Sequence, residues 1–264
     1  MNYFELIPSE LNEIIVSYLS SKELDDLLVS FSLSNLNWNI IYLYHFGEYK
    51  TIEYKEYLMR LSAEGLINKL NLKLTIDQLI NLQELNLSRN RFTQIPPEIG
   101  NLSKLRSLYL NGNKLTQLPP EIGKLNNLLV LSLSSNKLVR VPPEIGMLNN
   151  LQVLDLSNTQ LIQVPPEIGN LTNLQILYLD HNHLTQIPPE IKNLPNLQTL
   201  NLSSNQLTRV PSEIGELNNL EYLYLYDNQL TQISPEISRL NKLKIFLDNR
   251  DLLYLGPFNL SEGQ

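Results

Sequence analysis

Leucine recurs along this chain in a fixed order, L-x-x-L-x-L-x-x-N, and each such block is followed by a polar stretch ending in P-P-E-I-G or a close variant of it. The block LQELNLSRNRFTQIPPEIGNLSK begins at Leu82 and restarts at Leu105, Leu128, Leu151, Leu174, Leu197 and Leu220, always 23 residues later, so seven full repeats occupy 82–242. Within Leu85-Asn86-Leu87 the apolar period of two sends both leucines to one face and Asn86 to the other, which predicts a short strand. A unit that cannot bury its own apolar face must stack on its neighbours, so one strand per repeat predicts a continuous parallel sheet. After the strand, Asn90, Asn113, Asn136, Asn182, Asn205 and Asn228 share one position, with Thr159 as the exception. A buried amide there can satisfy carbonyls left bare as the chain turns, and threonine brings one donor fewer. Paired prolines such as Pro96-Pro97 and Pro188-Pro189 lack amide donors, so the return path is expected not to pair as a strand.

Upstream, Ile67, Leu70 and Leu72 begin the same spacing but reach Leu82 too soon for a full unit; downstream, LKIFLDNRDLLYL from Leu243 starts in register and loses it. Both ends read as atypical capping repeats covering an otherwise open core. Together these features resemble the intracellular 23-residue class of the leucine-rich repeat family. The resemblance implies an α/β right-handed solenoid with a concave parallel β-sheet, a convex side of short helical or 3-10 turns, and a repeat domain over 66–264.

Residues 4–45 leave the repeat pattern and predict helices. Pro8 fits a first helical turn beside Ser9, and Leu11, Ile14, Ile15, Tyr18 and Leu19 form one apolar stripe at i, i+3, i+4, i+7, i+8. Leu24, Leu27 and Leu28 then predict a second helix, and Leu36, Ile40, Ile41 and Tyr44 a third. The Ile7-Pro8 start, Glu10-Leu11, the Ile15, Tyr18, Leu19 run and Glu23-Leu24 make 1–46 similar to an F-box, with Trp38 a few residues later than that family places its tryptophan. This resemblance implies that Pro8, Leu11, Ile15 and Leu19 contact a Skp1-type adaptor while the repeats recruit a target for ubiquitination. The other reading is a stand-alone repeat scaffold whose N-terminal helices only cap the core. Residues 47–65 read as a helical linker.

Charge sharpens this division. Residues 1–65 hold ten acids and four bases, whereas the rest of the chain is nearly neutral; overall the net charge is −7 with a pI near 5.1. An acidic chain argues against general binding to nucleic acid or an anionic membrane, because phosphate neutralisation needs excess Lys and Arg. With no cysteine there is no disulfide, thiolate metal site or cysteine nucleophile. No run of about 18 apolar residues occurs, so a cytoplasmic protein is expected. The three histidines belong to no catalytic motif. Asp180, His181 and His183 are a thinkable metal set, but the turn at Asn182 separates them. The column Glu98, Glu121, Glu144, Glu167, Glu190, Glu213, Glu236 is explained by carboxylates facing helical-turn amides. No catalytic residue, metal or cofactor is therefore expected.

The candidate site is a protein-binding one on the concave face. Tyr222, Tyr224 and Tyr226 stand at i, i+2 and i+4 and should point the same way, with Tyr178 two repeats earlier in the column of Tyr224. Tyr109, Asp155, Asp180 and Asp227 complete a tyrosine and carboxylate surface suited to a partner with basic or aromatic groups. Arg91, Lys114 and Lys137 form a competing basic column at the other end of the array.

Overall fold

The structure is a computed structural model in which residues 51–248 are described; of residues 51–59 and of Leu61 only the helical backbone is. Pro8, Leu11, Ile15 and Leu19 lie outside the described residues. The chain divides into two units, Met1–Tyr57 and Leu58–Gln264. Apart from the first turns of helix α1 (Thr51–Leu70), every element below belongs to the second.

Each repeat contributes one three-residue strand: β1 (Glu84–Asn86), β2 (Ser107–Tyr109), β3 (Val130–Ser132), β4 (Val153–Asp155), β5 (Ile176–Tyr178) and β6 (Thr199–Asn201), followed by β8 (Tyr222–Tyr224) and β10 (Lys244–Phe246). They form one eight-stranded, all-parallel sheet in sequence order. Its register follows the repeat, with Leu85 opposite Leu108, Leu108 opposite Leu131 and so on. Inward leucines from every unit make a single core; in one unit Leu128, Leu131, Leu133, Leu138, Ile145 and Leu148 are all fully buried. Each such side chain stabilises the fold by roughly 1.5–3 kcal/mol relative to exposure.

Polar side chains hold the turns. Asn136 donates from Nδ2 to the carbonyls of Leu110 and Leu133 (3.0 and 2.8 Å), and its Oδ1 accepts the amide of Leu115 (3.0 Å). Asn113, Asn182, Asn205 and Asn228 repeat this bridge. The single hydroxyl proton of Thr159 is shared between two acceptors in reach, Leu156 O (3.1 Å) and Asn182 Oδ1 (2.5 Å), and the side chain reaches neither Leu133 O nor the Leu138 amide that an asparagine would serve. Just before this column the chain turns through positive φ in every unit, at Arg89, Gly112, Ser135, Asn158, His181, Ser204 and Asp227, with φ from 48° to 70°. A second asparagine ladder runs elsewhere: Asn127, Asn150, Asn173, Asn196 and Asn219 each donate to a carbonyl of the preceding unit at 2.7–2.8 Å.

The return path is a 3-10 turn starting near the second proline, as in Pro143–Met147. A fixed proline φ suits the first helical position, where the missing N–H is not needed. Glycine follows because successive turns nearly touch: a Cβ on Gly146 would lie 2.4 Å from the Glu167 carbonyl oxygen. The expectation that this path cannot pair is corrected in two units. There β7 (Arg209–Val210) and β9 (Gln232–Ile233) form a separate parallel pair. These are the units in which serine, Ser212 or Ser234, replaces one of the two prolines.

Both ends differ from the sequence reading. Ile67 and Leu70 lie in α1, which runs through to Leu70, so they do not begin a repeat and the helix passes the boundary expected at 65/66. The spacing L-x-x-L serves an amphipathic helix as well as a repeat. Ala63, Leu66 and Leu70 are buried in the array's core, joined by Leu79 of α2 (Ile76–Ile80), whose N-terminus carries a Thr75/Gln78 capping box. Lys69 pairs with Glu98, and Asn101 donates to Ser62 Oγ (2.7 Å). Burial pushes the Glu98 carboxyl up, but the Lys69 hydrogen bond, its own backbone amide and the lysine charge outweigh this and hold it below its ordinary value. At the other end, Lys244–Phe246 pairs with Tyr222–Tyr224 at a separation of 22 residues in place of 23.

Candidate functional site

Strand registers fix which side chains share the sheet's outward face. One row runs from Asn86 and Tyr109 through Ser132, Asp155 and Tyr178 to Asn201, Tyr224 and Phe246; its neighbour ends in Ile176, Thr199, Tyr222 and Lys244. Alternation places these opposite the buried leucines.

The aromatic residues gather at one end. Tyr224 stacks on Phe246 with ring centroids 4.6 Å apart and planes 11° from parallel, and Tyr226 tilts against the same ring at 6.3 Å. Lys244 Nζ lies 5.3 Å from the centre of the Tyr222 ring, within cation–π reach. Tyr222, Tyr224, Tyr226 and Phe246 are all partly exposed, so the core does not account for them. Offset stacking of neighbouring rings holds the cluster in a fixed shape.

Two carboxylates border it. Asp155 sits opposite Tyr178 in the adjacent strand and accepts from the amide and hydroxyl of Ser157 (3.0 and 2.7 Å). Asp180 lies two residues beyond Tyr178. Burial is the main cause that raises its pKa, and the Asp155 charge adds to it, against its own backbone amide and His181.

Of the residues expected at the site, the structure brings Tyr222, Tyr224 and Tyr226 together and places Asp155, Tyr178 and Asp180 a few strands away on the same face. Tyr109 stands apart, between Asn86 and Ser132 in register. Asp227 belongs to the left-handed turn, where its amide donates to Asp248 Oδ2 (2.6 Å), and is not a strand-face residue. Phe246 and Lys244 were missed. The alternation in Lys244-Ile245-Phe246 carried the signal, but the one-residue shift hid their column. Arg91, Lys114 and Lys137 are exposed and follow the asparagine position, off the strands. His181 occupies the turn between Asp180 and Asn182, and among the described residues no group of His, Asp and Glu could hold a metal ion. No described helix is long and apolar enough to cross a membrane.

Comparison with known proteins agrees with this architecture. The family description Leucine rich repeat matches residues 80–138, 172–230 and 195–252, and Leucine-rich repeat region matches 130–200. No curated protein matches. Among solved structures, a leucine-rich repeat protein of Leptospira interrogans is 40% identical with a TM-score of 0.62, covering 67% of this chain and 51% of that one. A TDR receptor is 36% identical with a TM-score of 0.59, over 67% of this chain and 32% of the receptor. The ectodomain of the Arabidopsis thaliana receptor kinase GASSHO1/SCHENGEN3, solved in complex with Casparian strip integrity factor 2, is 41% identical with a TM-score of 0.53, over 59% and 19%. This chain thus spans about half, a third and a fifth of these structures. With strand register, asparagine ladder and family match coinciding over the same residues, the chain belongs to the leucine-rich repeat family.

Proposed function

We propose that the chain is a cytoplasmic protein-interaction module that holds its target on the outward, concave side of the sheet, chiefly along β4 to β10. The observation that carries this reading is the cluster of Tyr224, Tyr226 and Phe246, with Tyr222 in the adjoining row beneath Lys244, all partly exposed and serving no part of the core. Rigid aromatic side chains bury large area at small rotamer cost, which is why they concentrate at binding hot spots. The test is the affinity of a target captured by the full chain, measured again with Tyr224→Ala; an unchanged affinity removes the aromatic cluster from the interface.

The same proposal assigns residues 1–46 to a Skp1-type adaptor, making the chain a substrate-recognition subunit of F-box type. It is supported by the Ile7-Pro8 start and the Leu11, Ile15, Leu19 stripe in the sequence, and by the burial of Ala63, Leu66, Leu70 and Leu79 of α1 and α2 against the first repeat, which supplies a cap from outside residues 1–46. Changing Leu11 and Ile15 to Asp places unpaired charges on the docking face, at a cost of several kcal/mol if buried. Adaptor binding should then vanish while target binding persists. A full chain that binds no such adaptor at micromolar concentration is a stand-alone scaffold.

A further inference from the structure

We infer that the gap between Tyr178 and Tyr224, above Asn201, receives an arginine side chain of the bound protein, stacked on Tyr224 and paired with Asp180. The inference rests on the binding face proposed above and names the chemistry that the face selects. Tyr178, Asn201 and Tyr224 are direct register partners on three successive strands, so the two tyrosines stand about 10 Å apart. Between them Asn201 carries no ring, and its side-chain oxygen is occupied by the Ser203 amide (3.1 Å).

Ring geometry opens this gap on one side. Tyr224 and Phe246 stack with centroids 4.6 Å apart, close to the distance between neighbouring strands, so their planes face each other along the direction from strand to strand. One face of Tyr224 is therefore covered by Phe246, and the other is turned toward Asn201 and Tyr178. A flat group at the usual contact distance of about 3.5–4 Å fits against that face with Tyr178 beyond it.

Charge selects the flat group. Neither Asp155 nor Asp180 takes part in an ion pair; those among the described residues are Arg60–Asp77, Lys69–Glu98 and Lys192–Glu216. Asp180 is partly desolvated and also feels the Asp155 charge from the neighbouring strand, so a cation arriving beside Asp180 from the Asn201 side relieves its carboxylate. Repeats 151–242 hold nine acids and four bases, which adds longer-range attraction for a cation. Tyr222 already carries a cation on its ring face, Lys244, in the same cluster. Arginine fits better than lysine because a planar guanidinium can stack on a ring and present paired donors to a carboxylate together.

The test is a titration of the full chain, with labelled tyrosine rings observed by NMR, using the N-acetyl amides of arginine, lysine and phenylalanine as probes. Arginine should shift the Tyr178 and Tyr224 ring signals and leave Tyr109 unmoved, and Asp180→Asn, which keeps the side chain's shape, should raise its half-saturation concentration at least threefold. A stronger response to lysine, or an unchanged arginine response in Asp180→Asn, overturns the assignment. Shifts with the phenylalanine probe alone also overturn it while leaving the aromatic binding face in place. Silence with all three overturns the slot, and the binding face is then judged separately by the effect of Tyr224→Ala on target affinity.

Discussion

Repeats 82–150 and repeats 151–242 bury equivalent residues, yet the surfaces they turn outward are opposite in character. In the first group the sheet face offers Ser107, Tyr109, Val130 and Ser132, and eight bases stand against four acids; in the second it offers Asp155, Tyr178, Asn201, Tyr222 and Tyr224, with four bases against nine acids. The inner sides are nearly interchangeable: Leu108, Leu131, Leu154, Leu177, Leu200 and Leu223 are all fully buried. Backbone geometry is thus set by the leucines, the asparagine ladder and the tight turns, and outward residues are left free to differ. Stability and recognition should therefore separate along the boundary between the two faces of the same strands.

The largest effect is expected where the shared interior is cut. Asn136→Ala strands the Leu115 amide and removes donors from Leu110 O and Leu133 O, a loss of about 1–3 kcal/mol and near the top of that range. Thr159→Ala should cost less, because threonine makes fewer of these bonds. Thr159→Asn should stabilise by about 1 kcal/mol by reaching the Leu133 carbonyl and the Leu138 amide. Equal denaturation midpoints for Asn136→Ala and Thr159→Ala would break the account of the ladder.

Close approach of the turns gives the next effect. Gly146→Ala forces a methyl against the Glu167 carbonyl and should cost about 1–3 kcal/mol. The array holds Lys192 at this column, so one step between successive turns already takes a side chain there. If Gly146→Ala leaves the thermal midpoint unchanged, the glycine column is not what sets the spacing of the turns.

A smaller effect distinguishes the outward acids. Asp180 has a raised pKa in the folded chain, chiefly from burial, so its ionisation opposes folding. The native state is favoured while the carboxyl is protonated, and this advantage disappears as pH rises through the folded pKa. Asp180→Asn should accordingly raise the denaturation midpoint at pH 7 and change it little at pH 3. A gain at pH 3 alone would contradict this sign.

The repeat, the parallel sheet and the asparagine column were legible because each rests on a 23-residue identity that register preserves. Three features were less visible for physical reasons. Ile67 and Leu70 fit helix and repeat spacing alike, and only their continuity with 51–66 decides for α1. Pairing of Arg209–Val210 with Gln232–Ile233 occurs in the two units where serine stands in place of a proline, and it needs both units at once, so neither segment alone reveals it. Phe246 became part of the candidate site only through a one-residue register shift at the last strand, which brings its ring onto Tyr224. The tyrosines themselves were readable from alternation, but their stacking direction was not, since it needs a partner from another strand.

The most direct measurement of the separation between interior and surface is target affinity and denaturation midpoint taken together on two variants, Tyr224→Ala and the triple change of Arg91, Lys114 and Lys137 to Ala. Tyr224→Ala should weaken target binding by about 1 kcal/mol or more, roughly fivefold, with its midpoint nearly unchanged, while the triple variant binds as the parent does. Binding abolished by the triple change and untouched by Tyr224→Ala would place recognition on the basic repeats and contradict the account.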